Sequence, residues 1–412
     1  MKSHWIRWCA AFAAVCKSAS TMSTALAPAL ALALALALAL GASLAGCGGA
    51  GTDGTGPAAA NSVNVGVLKG LGESSVTVNG VTYDSSGAEV QDGFGQPAGA
   101  EALRLGMWIE VNGRVDEASG AAFAQSIRIR PAARGVVSAV DGNALTLTVL
   151  QSTARIDDAG TVIEGAERVS AFAPGDVVEV HGPLGANSGA VEATRIERIS
   201  TALDARKPVE LRGRVSALDA VAQTLTVGRQ PVSYATATVE LRKALANGQV
   251  VRVSALTSPV GRTAWRVQRL TSDLPLPDNL GFIYAEGVTT DWAAGPLFQL
   301  EDLPVDATSA TSRGSVTADG QRVAVIGSLV DGTVKAKSVA RIQPGQAVVF
   351  VLSGSVGSFR SLADLRVRGV PVDAGAAVLA GGVAADLADG RRVKVTGPIS
   401  GQKLIATRLE FL

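Results

Sequence analysis

The feature that most constrains this chain is an internal repeat of roughly seventy residues. An apolar run reaches a glycine that is followed within two residues by valine, and the motif recurs along the chain. Its glycines are Gly66, Gly135, Gly213, Gly287 and Gly354. A second motif, such as Ile109-Glu110-Val111-Asn112-Gly113, recurs in step with the first. It ends at Gly113, Gly182, Ala255, Gly327 and Gly397. The sequence therefore predicts five copies of one structural unit.

Turn signals predict that each unit is built from short antiparallel strands. Asn79-Gly80, Asp141-Gly142 and Asp331-Gly332 each lie between runs in which apolar and polar residues alternate. Such pairs favour two-residue hairpins because both central positions tolerate positive φ. The stretches 102–106, 243–248 and 385–390 precede the second motif and end in glycine, which predicts one helical turn in each.

A single small sheet would leave two open edges and one exposed apolar face. We therefore expect an all-β protein of five tandem small barrels, oligonucleotide-binding-like or SH3-like, with five to six strands each. The chain is expected to form an array in which units contact one another only at their ends. The predicted units span residues 63–131, 132–203, 207–272, 280–343 and 346–412, and the fourth is divergent.

The N-terminal segment predicts export and lipid anchoring. Residues 1–46 carry Lys2, Arg7 and Lys17, then an Ala and Leu run from 26 to 40, as in a signal peptide. The segment ends in a lipobox-like sequence made of Leu44, Ala45, Gly46 and Cys47. The alternative is an uncleaved membrane-spanning helix, since the apolar stretch is nearly as long as a span requires. A start at Met22 would remove the positive charges, so Met1 is the expected start.

Lipidation would account for all the cysteines, because Cys9 and Cys16 lie in the removed segment and Cys47 would carry the lipid. Residues 47–62 form a Gly- and Ala-rich stretch with one charge, which predicts a flexible tether. With the three signal cations removed, basic and acidic residues nearly balance, so no nucleic-acid partner is expected. The expected location is the bacterial cell envelope, anchored in the outer membrane and facing the periplasm or the surface.

A family resemblance is most specific in the second unit. Gly-Asp-Val-Val-Glu-Val-His-Gly at 175–182 is followed by Glu-Ala-Thr-Arg-Ile-Glu at 192–197. This pattern resembles the domain-of-unknown-function family numbered 5666, which occurs singly and in tandem in bacterial envelope lipoproteins. The resemblance extends over about residues 63–412, best in the second and fifth units and worst in the fourth. It implies an architecture but no activity and no functional residues.

The residues that could perform chemistry are few. Histidine occurs only at His4 and His181, so a Ser-His-Asp site depends on His181. His181 aligns with Asn112, Ser254, Ile326 and Thr396 of the other units, which favours a tolerant surface position. Neither a metal site nor a cofactor is expected, since the mature chain lacks the necessary His and Cys ligands. Arg128, Arg130 and Arg134 alternate with apolar residues and are interpreted as a solvated strand face.

These observations favour a non-enzymatic envelope lipoprotein whose repeated barrels form a spacer or a binding scaffold. Its expected partners are the membrane, through the N-terminal lipid, and an envelope protein or a polysaccharide. The alternative is an enzyme, or an enzyme-accessory protein, that acts on cell-wall glycan through carboxylates of the fourth unit. Its candidate residues are Asp291, Trp292, Glu301 and Asp302.

Overall fold

The computed structural model describes residues 60–116, 119–186, 189–204, 206–256, 265–292, 295–313 and 316–412. Residues from Pro57 to Leu412 cluster as one compact unit. The described residues are all-β, and their only helical elements are single 3₁₀ turns. The all-β prediction is therefore confirmed.

The strands follow the repeat along the chain. The first unit contains β1 (Ala60–Leu71), β2 (Ser75–Val78), β3 (Val81–Asp84), β4 (Glu89–Gln91), β5 (Pro97–Ala98), β6 (Trp108–Val115) and β7 (Ala122–Ile129). The second contains β8 (Ala133–Asp141), β9 (Thr146–Val149), β10 (Ser152–Ile156), β11 (Val162–Glu164), β12 (Val177–His181), β13 (Ala190–Ala193) and β14 (Arg195–Ser200). The third contains β15 (Val209–Asp219), β16 (Thr224–Val227), β17 (Gln230–Ser233), β18 (Thr238–Glu240), β19 (Val250–Ala255) and β20 (Trp265–Ser272).

The last two units continue the series. The fourth contains β21 (Leu280–Thr290), β22 (Leu297–Leu300), β23 (Leu303–Asp306), β24 (Thr311–Arg313), β25 (Arg322–Val330) and β26 (Thr333–Arg341). The fifth contains β27 (Phe350–Ser361), β28 (Asp364–Val367), β29 (Val370–Asp373), β30 (Val378–Ala380), β31 (Arg392–Gly397), β32 (Ile399–Ser400), β33 (Lys403–Ile405) and β34 (Arg408–Phe411).

The same pairing order recurs in every unit. In the first unit β1 pairs with β2, β2 with β3, β3 in parallel with β7, β7 with β6, and β6 with β1. The pairing thus returns to the strand where it began, which gives a barrel-like arrangement. The third and fourth units repeat this order with β20 and β26 as their closing strands. In the second and fifth units the closing strand is divided, into β13 with β14 and β33 with β34.

The predicted helical turns are only partly present. Short 3₁₀ turns occur at Ala100–Ala102, Val169–Ala171 and Ala384–Asp386. The 243–248 stretch forms bends and turns without a helix. A short connection suffices here because it only has to carry the chain from one end of the barrel-like sheet to the next strand.

In each unit, the connection that precedes the second motif ends in a glycine that binds the first strand of that unit. The glycines are Gly106, Gly175, Gly248, Gly320 and Gly390, and their φ angles lie between 82° and 101°. Each donates its N–H to the carbonyl oxygen of the residue two positions after the first repeat glycine. The acceptors are Leu68, Val137, Val215, Thr289 and Val356, at 2.8–2.9 Å. Glycine is favoured because this backbone region is costly for other residues.

The last residue of the second motif is also explained by close backbone packing. A Cβ on Gly113 would collide with the carbonyl oxygen of Phe123, and one on Gly397 with that of Ile405. Gly182 and Gly327 face the carbonyl oxygens of Glu192 and Lys335 in the same way. The last residue of the motif therefore marks where the closing strand approaches the backbone of the motif strand too closely for a Cβ.

Strands of different units also pair directly, and some of these units are distant in sequence. The first strand of the first unit pairs in parallel with β21 of the fourth, from Ser62 opposite Phe282 to Val65 opposite Ala285. It also pairs with β27 of the fifth unit, and β8 pairs with β15 between the second and third units. The expectation of an array whose units touch only at their ends is therefore wrong. Seven consecutive residues of β1, Ser62–Leu68, are buried because neighbouring units cover the strand's outer face.

Candidate functional site

The main polar feature of the described residues is a buried cluster of ion pairs where the units meet, which we call the ionic junction. At its centre lies Asp273, whose Oδ1 is 2.8 Å from Nη2 of Arg130 and whose Oδ2 is 2.8 Å from Nε of Arg212. All three side chains are at most 2% exposed. Asp273 follows β20, Arg130 follows β7, and Arg212 lies on β15, so the contact joins the first and third units.

Four further residues extend the ionic junction. Glu110 of β6 pairs with Arg130 at 2.6 Å, and Glu301 of the fourth unit pairs with Arg212. Arg252 of β19 pairs with Glu210 of β15 and also lies 3.6 Å from Asp273. The junction therefore includes charged side chains from the first, third and fourth units. Arg212 also donates to the carbonyl oxygen of Gly182, at 3.2 Å, which adds the second unit.

Burial and charge act in opposite directions on the carboxyl groups of the ionic junction. Burial alone would raise the pKa of Asp273, but Arg130, Arg212 and Arg252 outweigh it and hold this pKa well below its ordinary value. Glu210 has only Arg252 as a cationic partner, so burial dominates and raises its pKa from 4.5 to about 7. Its Oε2 has no hydrogen-bond partner among the described residues. Glu210 is thus a carboxyl group of the junction whose pKa lies near neutral pH.

The structure corrects the interpretation of His181. Its side chain is fully buried, not on a tolerant surface. Its Nε2 lies 2.9 Å from Oε1 of Glu179, and its Nδ1 accepts a hydrogen bond from the backbone N–H of Trp108 at 3.3 Å. His181 therefore joins the second unit to the first. The imidazole is fully engaged in holding these units together.

The arginine stretch is likewise not a solvated face. Arg130 is 1% exposed and belongs to the ionic junction. Arg134 lies 3.4 Å from Glu179 and stacks over the ring of Phe94, with 5.3 Å between its Cζ and the ring centroid. Arg128 donates to the side chain of Gln91 at 3.1 Å. Alternation with apolar residues correctly placed these side chains outside the strand's own core, but another unit contacts Arg130 and Arg134 on that side.

The fourth-unit carboxylates lie close together in the fold but have different surroundings. Oε1 of Glu301 accepts a hydrogen bond from the backbone N–H of Leu184 at 2.9 Å, and Oε2 pairs with Arg212. Asp302 accepts one from the backbone N–H of Val250 at 3.2 Å. Glu301 is therefore held by the ionic junction, whereas Asp302 faces a cavity between the third and fourth units.

That cavity has a volume of about 380 Å³ and is also lined by Asp291, Arg214 and Gln299. Burial by the surrounding protein, together with Asp273 and Glu301, raises the pKa of Asp302 to about 6. The Asp302 side chain is nevertheless exposed to water on its cavity side. Trp292 lies apart from these carboxylates and packs on Phe298, with 6.1 Å between ring centroids. The structure thus places Asp291, Glu301 and Asp302 at one cavity and gives Trp292 a packing role.

Sequence reasoning missed the centre of the ionic junction, namely Asp273, Arg212, Arg252 and Glu210. One signal was available: the position of Arg252 in the second motif is filled by Glu110 and Glu179 in the first two units. Charged residues at one repeat position, with opposite signs in different units, are what contacts between units require. The lipobox Leu44–Cys47 and the sequence before Ala60 lie outside the described residues.

The comparisons concern the first three units. The family model described as "Domain of unknown function (DUF5666)" matches residues 65–128, 134–197 and 212–268. Residues 65–268 carry three tandem DUF5666 modules. Each DUF5666 match runs from a first strand to a closing strand, so the family unit coincides with the structural unit.

The remaining comparisons add little to this family assignment. The fourth and fifth units lie beyond the DUF5666 matches, although the fifth was expected to be among the best. No curated protein matches the chain. Within the described residues, no helix is long and apolar enough to cross a membrane. In the same part of the chain, no group of three or more His, Cys, Asp or Glu side chains is arranged to hold a metal ion.

Proposed function

We propose that this protein is a non-enzymatic, lipid-anchored scaffold of the bacterial cell envelope, in which five small barrels form one rigid body. The observation that carries the proposal is the ionic junction, which joins three units through buried charged side chains and a fourth through the carbonyl oxygen of Gly182. Removing one partner of such a pair costs about 3–5 kcal/mol, so the units resist separation. A body of this kind suits a spacer or a platform for binding at a fixed distance from a membrane.

The pairing order favours the oligonucleotide-binding-like barrel over the SH3-like one. A five-stranded Greek-key barrel closes by pairing its third strand in parallel with its last, as β3 does with β7 and β17 with β20. The proposed units are those of the repeat, at 63–131, 132–203, 207–272, 280–343 and 346–412. The proposal extends the barrel to all five, including the two outside the family matches.

The rigid-body part can be tested by cutting the chain between units. A site for a specific protease is inserted at the exposed linker near Arg206 and Lys207, between β14 and β15. After cleavage, the two pieces should migrate together in size-exclusion chromatography and separate only in denaturant. A matched insertion in the 331–332 hairpin controls for the insertion itself. Separation in native buffer would contradict the rigid body.

The anchor is tested at Cys47. A Cys47→Ser variant should lose fatty-acid labelling and leave the membrane fraction, whereas Cys16→Ser, in the segment expected to be removed, should behave as wild type. If Cys47→Ser stayed in the membrane at its full length, an uncleaved membrane-spanning helix would replace the lipid anchor. The proposed partners remain an envelope protein or a polysaccharide, with neither nucleic acid nor a cofactor.

A second candidate function, an enzyme that acts on cell-wall glycan, is favoured by one observation. Asp302 is a water-accessible carboxyl group with a raised pKa at the edge of a cavity, as a general acid requires. Its neighbour Glu301 is held by Arg212, so a two-carboxylate mechanism would have to use Asp291 instead. Purified protein should hydrolyse peptidoglycan or polysaccharide, and Asp302→Asn should abolish this activity while Asp141→Asn preserves it. Absence of hydrolysis by wild type would rule out this candidate.

A further inference from the structure

A second cavity, of about 610 Å³, lies where the first, second and fifth units meet, away from the ionic junction. Its volume is within the roughly 300–1,000 Å³ that is usual for small-molecule sites. No single unit forms it, because its lining comes from the 101–105 connection, from β11 and β14, and from the β28–β29 hairpin with β32. The cavity therefore exists only in the assembled body.

One side of the cavity is cationic. Arg104, Arg366 and Arg368 line it together with the carboxylate of Glu101, and no ion pair of these three arginines is formed among the described residues. Arg195, whose side chain is only 3% exposed, lies beside them and is already neutralised by Glu164 and Glu197. A guanidinium group is a strong, directional partner for carboxylate and phosphate groups. Besides the neutralised Arg195, three arginines against one carboxylate, Glu101, leave a net positive charge at the cavity, which favours an anion.

A tight turn presents Arg368 at the edge of the cavity. Arg368 and Gly369 form the tight turn of the β28–β29 hairpin, with φ angles of 50° and 79°. The first unit has Asn79 and Gly80 at the corresponding turn, and asparagine tolerates this region better than arginine does. Leu150 and Glu301 have φ angles of 50° and 61° at the same turn of the second and fourth units, so the positive φ belongs to the turn and the arginine is what distinguishes the fifth unit.

The other side of the cavity is apolar. Leu71, Leu103, Leu105 and Val162 are all at most 7% exposed and form the deep wall. Ile163, Val370, Pro371 and Ile399 complete the lining as partly exposed residues. An apolar chain that packs against this wall removes apolar surface of both partners from water, which is favourable.

We propose that this cavity binds an anionic amphiphile, with its carboxylate or phosphate head at Arg104, Arg366 and Arg368 and its apolar chain against the leucine wall. The equally large cavity between the first and third units is a weaker candidate for an anion. Its arginines are largely paired, Arg252 with Glu210 and Arg269 with Glu240. This second proposal does not depend on the proposed lipid at Cys47.

Photocrosslinking on the full chain tests this site. Purified protein in phosphatidylcholine nanodiscs is irradiated with dodecanoate that carries a terminal diazirine, and the labelled peptides are mapped by mass spectrometry. Labels should concentrate in peptides that contain Leu103–Leu105, Val162–Ile163 or Val370–Pro371. Unlabelled dodecanoate or dodecyl phosphate should compete, whereas dodecanol and inorganic phosphate alone should not. Competition by only one of the two anions would identify the head group as carboxylate or phosphate.

Matched arginine variants decide whether charge is responsible. Arg366→Gln with Arg368→Gln should reduce labelling at the cavity by on the order of tenfold or more, since each lost charge-assisted hydrogen bond weakens binding strongly. Arg266→Gln with Arg341→Gln removes the same charge at exposed positions outside the cavity and should leave labelling unchanged. Equal competition by dodecanol, labels spread over the surface, or unchanged labelling of the cavity variant would overturn the proposal. Cys47→Ser protein should label normally, which keeps failure of the anchor distinct from failure of this site.

Discussion

Replacing Glu210 by glutamine should flatten the dependence of stability on pH near neutrality. Burial raises the pKa of Glu210 from 4.5 to about 7, so the folded protein binds this proton more tightly than the unfolded chain does. Stability from this group is therefore fully present below pH 4.5 and is lost as the pH rises through 7. At 1.36 kcal/mol per pKa unit, the full loss is about 3 kcal/mol, most of it between pH 5 and 8.

Glutamine has the shape of protonated glutamic acid and cannot ionise. The assay is urea unfolding of residues Pro57–Leu412 at pH 5, 6, 7 and 8, followed by circular dichroism and by tryptophan fluorescence. Trp108 is fully buried beside the ionic junction and is well placed to report its opening. The free energy of unfolding of wild type should fall by about 2–3 kcal/mol more than that of Glu210→Gln over this range.

Asp302 also has a raised pKa and therefore lowers the stability of wild type and of both variants as the pH rises. This contribution cancels when the pH dependence of Glu210→Gln is subtracted from that of wild type. Glu240→Gln is the matched control. Glu240 lines the cavity between the first and third units, as Glu210 does, but it is half exposed and pairs with Arg269. Its pH dependence should equal that of wild type. If Glu210→Gln and wild type lost stability in parallel from pH 5 to 8, the reasoning from burial would be refuted.

Three further predictions concern other parts of the structure. Arg130→Met should destabilise the protein by about 3–5 kcal/mol, because it leaves Glu110 without its buried partner and removes one of the two arginines that bind Asp273 at 2.8 Å. Arg206→Met, at a side chain 92% exposed, should leave the urea midpoint unchanged. Gly397→Ala should lower the free energy of unfolding by about 1–3 kcal/mol, because the added Cβ collides with the carbonyl oxygen of Ile405. Gly357→Ala, whose Cβ would meet no atom within 4 Å, should change it by less than about 0.5 kcal/mol, and thermal unfolding compares the two variants. Asp273→Asn should weaken the loss of stability in acid. The lowered pKa of Asp273 supplies stability that is fully present above pH 3.8 and disappears as the pH falls toward the folded-state pKa. Acid titrations compare this variant with Asp331→Asn, which should behave as wild type.

Local patterns predicted the unit well because they depend on local physics. Asn79-Gly80 forms the β2–β3 hairpin with φ angles of 52° and 80°, as its composition requires. The glycine that ends each second motif was recognised from its recurrence, and its cause is a backbone approach too close for a Cβ. Ala255 of the third unit departs from this rule, and the chain that follows it, 257–264, lies outside the described residues.

The contacts between units could not be predicted in the same way. Parallel pairing of β1 with β21 joins segments more than two hundred residues apart, and no turn or spacing in the sequence specifies it. Alternation shows which side chains of a strand point into that strand's own core. It does not show whether the opposite side faces water or a neighbouring unit. His181 and Arg130 were misjudged for this one reason.

The same reason changes how the repeat itself should be interpreted. Positions that stay constant between units, such as the motif glycines, maintain the barrel-like sheet. Positions that vary include Glu110, Glu179 and Arg252, which lie where units meet. Glu110 and Glu179 pair with Arg130 and Arg134, which reach Asp273 after the third unit and Phe94 of the first. Arg252 donates to the carbonyl oxygen of Pro131 in the first unit. In the fifth unit the corresponding Lys394 is largely exposed and lies 3.6 Å from Glu410 of the same unit. Variation at one repeat position therefore reflects where each unit sits in the assembled body, and a substitution there should be judged by its neighbour across the junction.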